Sequence, residues 1–201
     1  SFDYSFFGDA KITAGAATTR GADPASPTMR PGPPRPLRLP LRDERRLSQV
    51  RHYLTCRRHL AAALLEPLLE SGRIYADQRG NAVFLLVAGK GQRPVGAELR
   101  GTGPRVWRGM APGTRKDEGY FWIGTPGGRE LVLCESAIDA ISCWQLYPRR
   151  ICLSTAGVRA RPRWLPGLIQ RGYQIHCGFD ADDPGDAAAR GSRPGERDLV
   201  D

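Results

Sequence analysis

The sequence predicts an α/β fold, in which a C-terminal parallel sheet with flanking helices follows a small helical plus antiparallel-β subdomain. Three features of the 201-residue chain lead there. Apolar residues recur at three- and four-residue steps between 43 and 69, the period of a helix. Short β-type runs then follow one another between 81 and 123 with glycine-rich turns between them, the spacing of an antiparallel sheet. From residue 130 onward, strand-like and helix-like stretches alternate, and the strand-like ones are almost wholly apolar. Strands of that kind are buried on both faces, which a parallel sheet with right-handed helical crossovers provides.

Each element has its own justification. Seven of the 17 prolines fall between Pro24 and Pro40, and Ala, Gly and Thr fill much of the stretch before them. Residues 1–41 are therefore expected to form a flexible arm. Leu47, Val50 and Leu54 open the helical segment with arginines between them, and Leu60, Leu64, Leu65, Leu68 and Leu69 extend it to a stop at Ser71-Gly72. Pro67 lies inside that second series, which predicts a kink or two short helices. Residues 81–87, 95–99, 106–107 and 120–123 are the antiparallel runs. The stretch 89–94 joins two of them and lacks the spacing of a phosphate-binding loop, so it reads as a hairpin turn. Residues 131–134, 151–154 and 174–179 are the parallel strands. Between them, 135–147 forms a helix with Ile138, Ile141 and Leu146 inward, and a second helix carries Trp164, Leu165, Leu168 and Ile169. Residues 184–190 begin another. The expected organisation is an arm (1–41), a helical and β-rich subdomain (42–128) and an α/β domain (129–201).

Composition narrows the function classes. The formal charge is +9, and only Lys11, Lys90 and Lys116 are lysines, so 27 of the 30 basic residues are arginine. Arginine grips phosphate bidentately, which points to a nucleic-acid partner; a solvated arginine-rich surface is the plainer explanation. No run of 18 apolar residues exists, which excludes a transmembrane helix, and the N-terminus lacks a secretory pattern. A cytoplasmic protein without a membrane partner is expected. Five cysteines without a two-residue pair spacing fit a reducing compartment, with Cys134, Cys152 and Cys177 serving as small hydrophobes inside strands.

The chemistry gathers at the strand ends. Open parallel sheets bind ligands beyond the carboxyl ends of their strands. Glu135 directly follows one such strand, Thr155-Ala156-Gly157 the next, and Asp180, Asp182 and Asp183 the third. Two carboxylates about 4 Å apart repel by roughly 4 kcal/mol at an effective dielectric of 20. Converging carboxylates therefore raise their pKa values or collect a cation, and an all-oxygen cluster favours Mg²⁺ or Mn²⁺. The same residues would also serve as solvated caps, Asp182 or Asp183 ahead of Pro184 in particular.

Taken together, Leu-Val-Leu-Cys-Glu135-Ser-Ala-Ile-Asp139-Ala, Cys-Leu-Ser-Thr-Ala-Gly157 and Gly-Phe-Asp180-Ala-Asp182-Asp-Pro-Gly185-Asp-Ala-Ala resemble the Toprim domain. That domain is shared by bacterial-type (DnaG-like) primases, type IA and II topoisomerases and certain nucleases. The resemblance extends upstream through Arg-Gly-Asn-Ala-Val-Phe84, Pro-Val-Gly-Ala-Glu98, Trp107-Arg-Gly-Met and Gly-Tyr-Phe-Trp122-Ile-Gly124. This part looks like the strand-rich subdomain of primase cores, and more like an uncharacterised domain that precedes Toprim in plasmid and mobile-element proteins.

The resemblance implies that Asp180 and Asp182 bind a divalent metal, Mg²⁺ or Mn²⁺, and that Glu135 acts as general acid/base or joins the ligation. It sets Lys116, with Arg105, Arg108 and Arg115, where primases use basic residues against template or nucleotide; a solvated basic loop is the competing reading. Asp139, Thr155, Gly157, Asp183 and Asp186 are supporting positions. The implied activity is primase-like nucleotidyl transfer, RNA primer synthesis on a DNA template. DNA, RNA and nucleotides are then the partners, together with a helicase or another replication protein. A Toprim nuclease and a non-catalytic nucleic-acid-binding accessory of a plasmid or phage are the alternatives. Eleven residues follow Arg190, so the Toprim segment is expected to be incomplete at its C-terminus.

Overall fold

The computed structural model describes residues 35–89, 92–125, 127–157 and 162–179. The greater part of the expected arm and the helix expected at 184–190 lie outside them. Asp43 opens the helical segment by accepting a hydrogen bond from Arg45 N at 3.1 Å. A 3-10 turn (Glu44–Arg46) leads into α1 (Leu47–His52), a π-helical turn (Tyr53–Arg57) and, after a break, α2 (Ala62–Glu70). Two short helices form as expected, but the break falls at 58–61, where His59 takes a φ of +54°, and not at Pro67. Pro67 is tolerated because the carbonyl it deprives of a partner is that of Ala63, in the exposed first turn of a short helix.

The first sheet is antiparallel, with β1 (Ile74–Ala76), β2 (Ala82–Ala88), β3 (Arg93–Arg100) and β4 (Arg108–Met110) side by side in that order. β1 has only three residues, too few for alternation to reveal it. Val106 and Trp107, expected in a strand, instead stand exposed in the turn before β4. That turn is closed by Gly101 N donating to Trp107 O at 2.9 Å, and the ladder starts with Arg100 opposite Arg108.

The second sheet holds β5 (Phe121–Gly124), β6 (Glu130–Cys134), β7 (Ile151–Ser154) and β8 (Gln174–Gly178), in the order β5-β7-β6-β8. β6, β7 and β8 are parallel, as expected. β5 is a correction. It was expected in the antiparallel sheet, yet it keeps only a one-residue bridge to β2, Tyr120 to Val87, and then pairs antiparallel with β7. All four β5 residues are buried: Phe121 and Ile123 share a core with Phe84 of the first sheet and with α3, and Trp122 shares one with Val87 and Leu165.

Helices cover both faces of this sheet. Val132, Cys134 and Cys152 face α3 (Ala137–Leu146) and share a core with Val50, Leu54, Leu65, Phe84 and Phe121. Leu131, Leu133, Ile151 and Leu153 face α4 (Leu165–Gln170) through Leu165 and Leu168. Each full burial of such a side chain contributes about 1.5–3 kcal/mol. β8 departs from its expected burial: it is the outer strand, and Cys177 is exposed, so this cysteine does not serve as a core residue. No helix among the described residues is long and apolar enough to cross a membrane.

Candidate functional site

β6 ends at Cys134, and Glu135 occupies the single position between the strand and the cap of α3. Ser136 and Asp139 close that cap reciprocally. Ser136 Oγ accepts from Asp139 N at 3.4 Å, while Asp139 Oδ2 accepts from Ser136 N at 3.1 Å and Ser136 Oγ at 2.7 Å. The Ser-x-x-Asp spacing alone produces this arrangement, and it anchors the backbone next to Glu135. Asp139 is thereby engaged in the helix cap. Glu135 keeps a side chain 21% exposed, and its Oε1 lies 3.5 Å from Nη1 of Arg108, the first residue of β4.

The loop after β7 is strapped to the end of β6. Thr155 donates from N and from Oγ1 to Cys134 O, at 2.9 and 3.0 Å, and Gly157 N donates to Glu135 O at 2.8 Å. This path needs positive φ at two successive residues, +54° at Ala156 and +108° at Gly157, a region that glycine enters without steric cost. Lys116 Nζ donates to Ala156 O from across the loop. The Lys116 carbonyl in turn accepts from Trp164 Nε1 at 3.3 Å.

These elements enclose an open cleft of about 360 Å³ between the two sheets. Arg100, Arg108 and Lys116 stand on the side of the first sheet, and Glu135, Ala156 and Gly157 on the side of the second. The structure therefore brings together Glu135, Arg108, Lys116 and Gly157, with Thr155 buried beneath. Arg115 is directed elsewhere: its Nη1 lies 3.1 Å from Glu118 Oε2, along a separate exposed depression. Arg105 is exposed in the β3–β4 turn and is not among the cleft's lining residues. Asp180, Asp182, Asp183 and Asp186 lie outside the described residues. The strand leading to them, β8, has Gly178 in register with Cys134, so Phe179 leaves the sheet at the edge that bears Glu135.

Glu98 was missed. It is 8% exposed and points from β3 toward the second sheet. Its Oε2 accepts from Ala137 N at 3.1 Å and its Oε1 from Ser154 Oγ, while Ser154 Oγ accepts from Ala156 N at 3.0 Å. One carboxylate thus holds the first turn of α3 and the β7 loop together. Burial pushes its pKa above the usual carboxylate range, against the hydrogen bonds from Ser154 and Ala137. The available signal was a charged residue inside the apolar run Val-Gly-Ala-Glu-Leu. Arg100, whose charge favours the ionised form of Glu98, was also passed over.

Residues 132–194 match the Toprim-like family. The C-terminal part of the chain is a Toprim-like domain. Residues 52–125, ahead of the Toprim-like domain, match a family described as a protein of unknown function (DUF3991). Among solved structures, a DnaG catalytic core is similar over 71% of this chain and 58% of its own, at 16% identity and a TM-score of 0.52. A DnaG primase catalytic domain bound to single-stranded DNA gives 16% identity, 71% and 59% coverage and a TM-score of 0.51. The E. coli primase catalytic core gives 15% identity, 71% and 58% coverage and a TM-score of 0.50. The chain spans less than two thirds of each of these cores, and at such identity the likeness is one of fold. No curated protein matches the sequence. The Toprim-like domain and its neighbour thus share the architecture of primase cores, with the cleft described above between their two sheets.

Proposed function

We propose that this protein catalyses divalent-metal-dependent nucleotidyl transfer on nucleic acid, of the primase type: synthesis of an RNA primer on a DNA template. The supporting observation is the cleft that sets Glu135, on the Toprim-like edge, 3.5 Å from Arg108 and opposite Lys116 on the preceding subdomain. In this reading Arg108 and Lys116 hold phosphate oxygens, with charge-assisted bonds about twice as strong as neutral ones. Glu135 either moves the proton of the attacking hydroxyl or serves as a metal ligand.

Among the described residues no three His, Cys, Asp or Glu side chains converge on a metal site. Glu135 fits as one hard oxygen donor for Mg²⁺ or Mn²⁺, and the reading assigns the others to Asp180 and Asp182. A divalent ion held there would supply charge neutralisation at the transferred phosphate. The working division is an arm at 1–41, a subdomain at 42–128 and a Toprim-like domain at 129–201, with DNA, RNA, nucleotides and a helicase or another replication protein as partners.

Primer synthesis on single-stranded template with Mg²⁺ or Mn²⁺ tests the reading. Glu135→Gln and Asp180→Asn are expected to lower the rate by about 100-fold or more. Undiminished synthesis by either variant overturns it, and cleavage without nucleotides would identify a nuclease instead.

A further inference from the structure

We propose that Trp107, with Arg105 and Arg108 close to it in the chain, forms a stacking platform for single-stranded nucleic acid beside the cleft. The inference deepens the proposed function. It rests on nucleic acid being the partner, and does not require catalysis.

The β3–β4 turn presents two large apolar residues to water, Val106 at 94% exposure and Trp107 at 46%. A tryptophan left half-exposed in a short turn is not explained by core packing. Its ring is nonetheless held in place. A Cβ placed on Gly109 would sit 3.0 Å from Trp107 Cζ2 and 3.3 Å from Cη2, so only glycine at 109 lets the indole lie close on β4. The closing bond from Gly101 N to Trp107 O fixes the backbone beneath it. The ring is thus supported from one side and open on the other.

What surrounds the ring selects the ligand. Arg105 is exposed, and the Arg108 side chain is 74% exposed. Gly109 and Arg108 also line the cleft, so the indole adjoins it. An exposed aromatic face in a turn that also carries the exposed Arg105 and Arg108, on a chain of net charge +9, matches a base flanked by phosphates. Duplex DNA keeps its base faces stacked internally and cannot use such a platform. Trp and Arg also anchor protein partners, but the basic residues that line the neighbouring cleft, Arg100, Arg108 and Lys116, favour phosphate-bearing chains.

The test is fluorescence anisotropy of the full chain with labelled oligothymidylate and oligouridylate of about 20 nucleotides, an abasic strand of equal length and a duplex. Trp107→Ala is expected to weaken binding to either base-bearing strand by about 10-fold, with the salt dependence unchanged. Trp107→Phe should restore most of it, and the wild type should bind the abasic strand as weakly as Trp107→Ala binds the base-bearing one. Arg105→Ala should instead reduce the salt slope by about one. Equal binding of single strands by wild type and Trp107→Ala overturns the platform, as does an equal loss on duplex and single strand, or a wild type that binds no single strand. A Trp107-dependent affinity without primer synthesis would keep the platform and remove the catalytic assignment.

Discussion

Glu98 carries a carboxyl group into the seam between the two sheets, where its oxygens meet a helix amide and a serine hydroxyl. Removing the carboxyl with Glu98→Ala strands Ala137 N and Ser154 Oγ, and each unsatisfied buried group costs about 1–3 kcal/mol. The expected loss is about 2–4 kcal/mol in denaturant unfolding. Glu98→Gln keeps the shape and removes the titration. Because burial raises the folded pKa, the carboxyl's contribution is fully present below the unfolded value of about 4.3 and is lost as pH rises through the folded one. The stability of wild type relative to Glu98→Gln should therefore fall on going from acid toward neutral pH; parallel profiles would disprove the assignment. Glu135 was legible in the sequence because an acid just past an apolar strand has a predictable position. Glu98 was not, because its partners lie 39 and 56 residues downstream, in α3 and at the end of β7.

The α3 cap shows how an element sets a functional geometry. Ser136 and Asp139 satisfy each other's backbone amides at the first turn, and Glu135 is the residue immediately before them. Ser136→Ala should cost about 1 kcal/mol of stability, seen as a lower denaturation midpoint. Asp139 was expected as a supporting position; its carboxylate is engaged in the helix cap that follows Glu135. β6 and β7 were readable because each is a compact apolar run bounded by polar residues, whereas β8, Gln-Ile-His-Cys-Gly, is only partly apolar and lies at the edge of the sheet. The partner of β5 was not, since Phe-Trp-Ile-Gly says that both faces are covered and nothing about which sheet covers them.

On the scale of the whole molecule, β5 joins the two halves. Phe121 packs edge-on against Phe84 of β2 with ring centroids 5.8 Å apart, and a single core runs from α1 through the first sheet to α3. Phe121→Ala should therefore cost about 3–5 kcal/mol and lower one common transition in calorimetry. Two separated transitions would mean that the sheets melt independently. The basic side chains follow the same division, with Arg100, Arg108 and Lys116 on one wall of the cleft, beside the buried Glu98, and Glu135 on the other. The composition announced the excess of arginine but not its facing arrangement, which depends on how the sheets meet.

The Arg108–Glu135 pair has a thermodynamic consequence of its own. At 3.5 Å, with the arginine largely in water, it is a loose contact that either partner can leave. An anion that takes Arg108 releases the carboxylate, and a cation that takes the carboxylate releases Arg108. Each then lowers the free-energy cost of admitting the other, and by reciprocity the two effects are equal. The cleft is in this sense self-occupied, and it favours ligands that arrive as a neutralised pair.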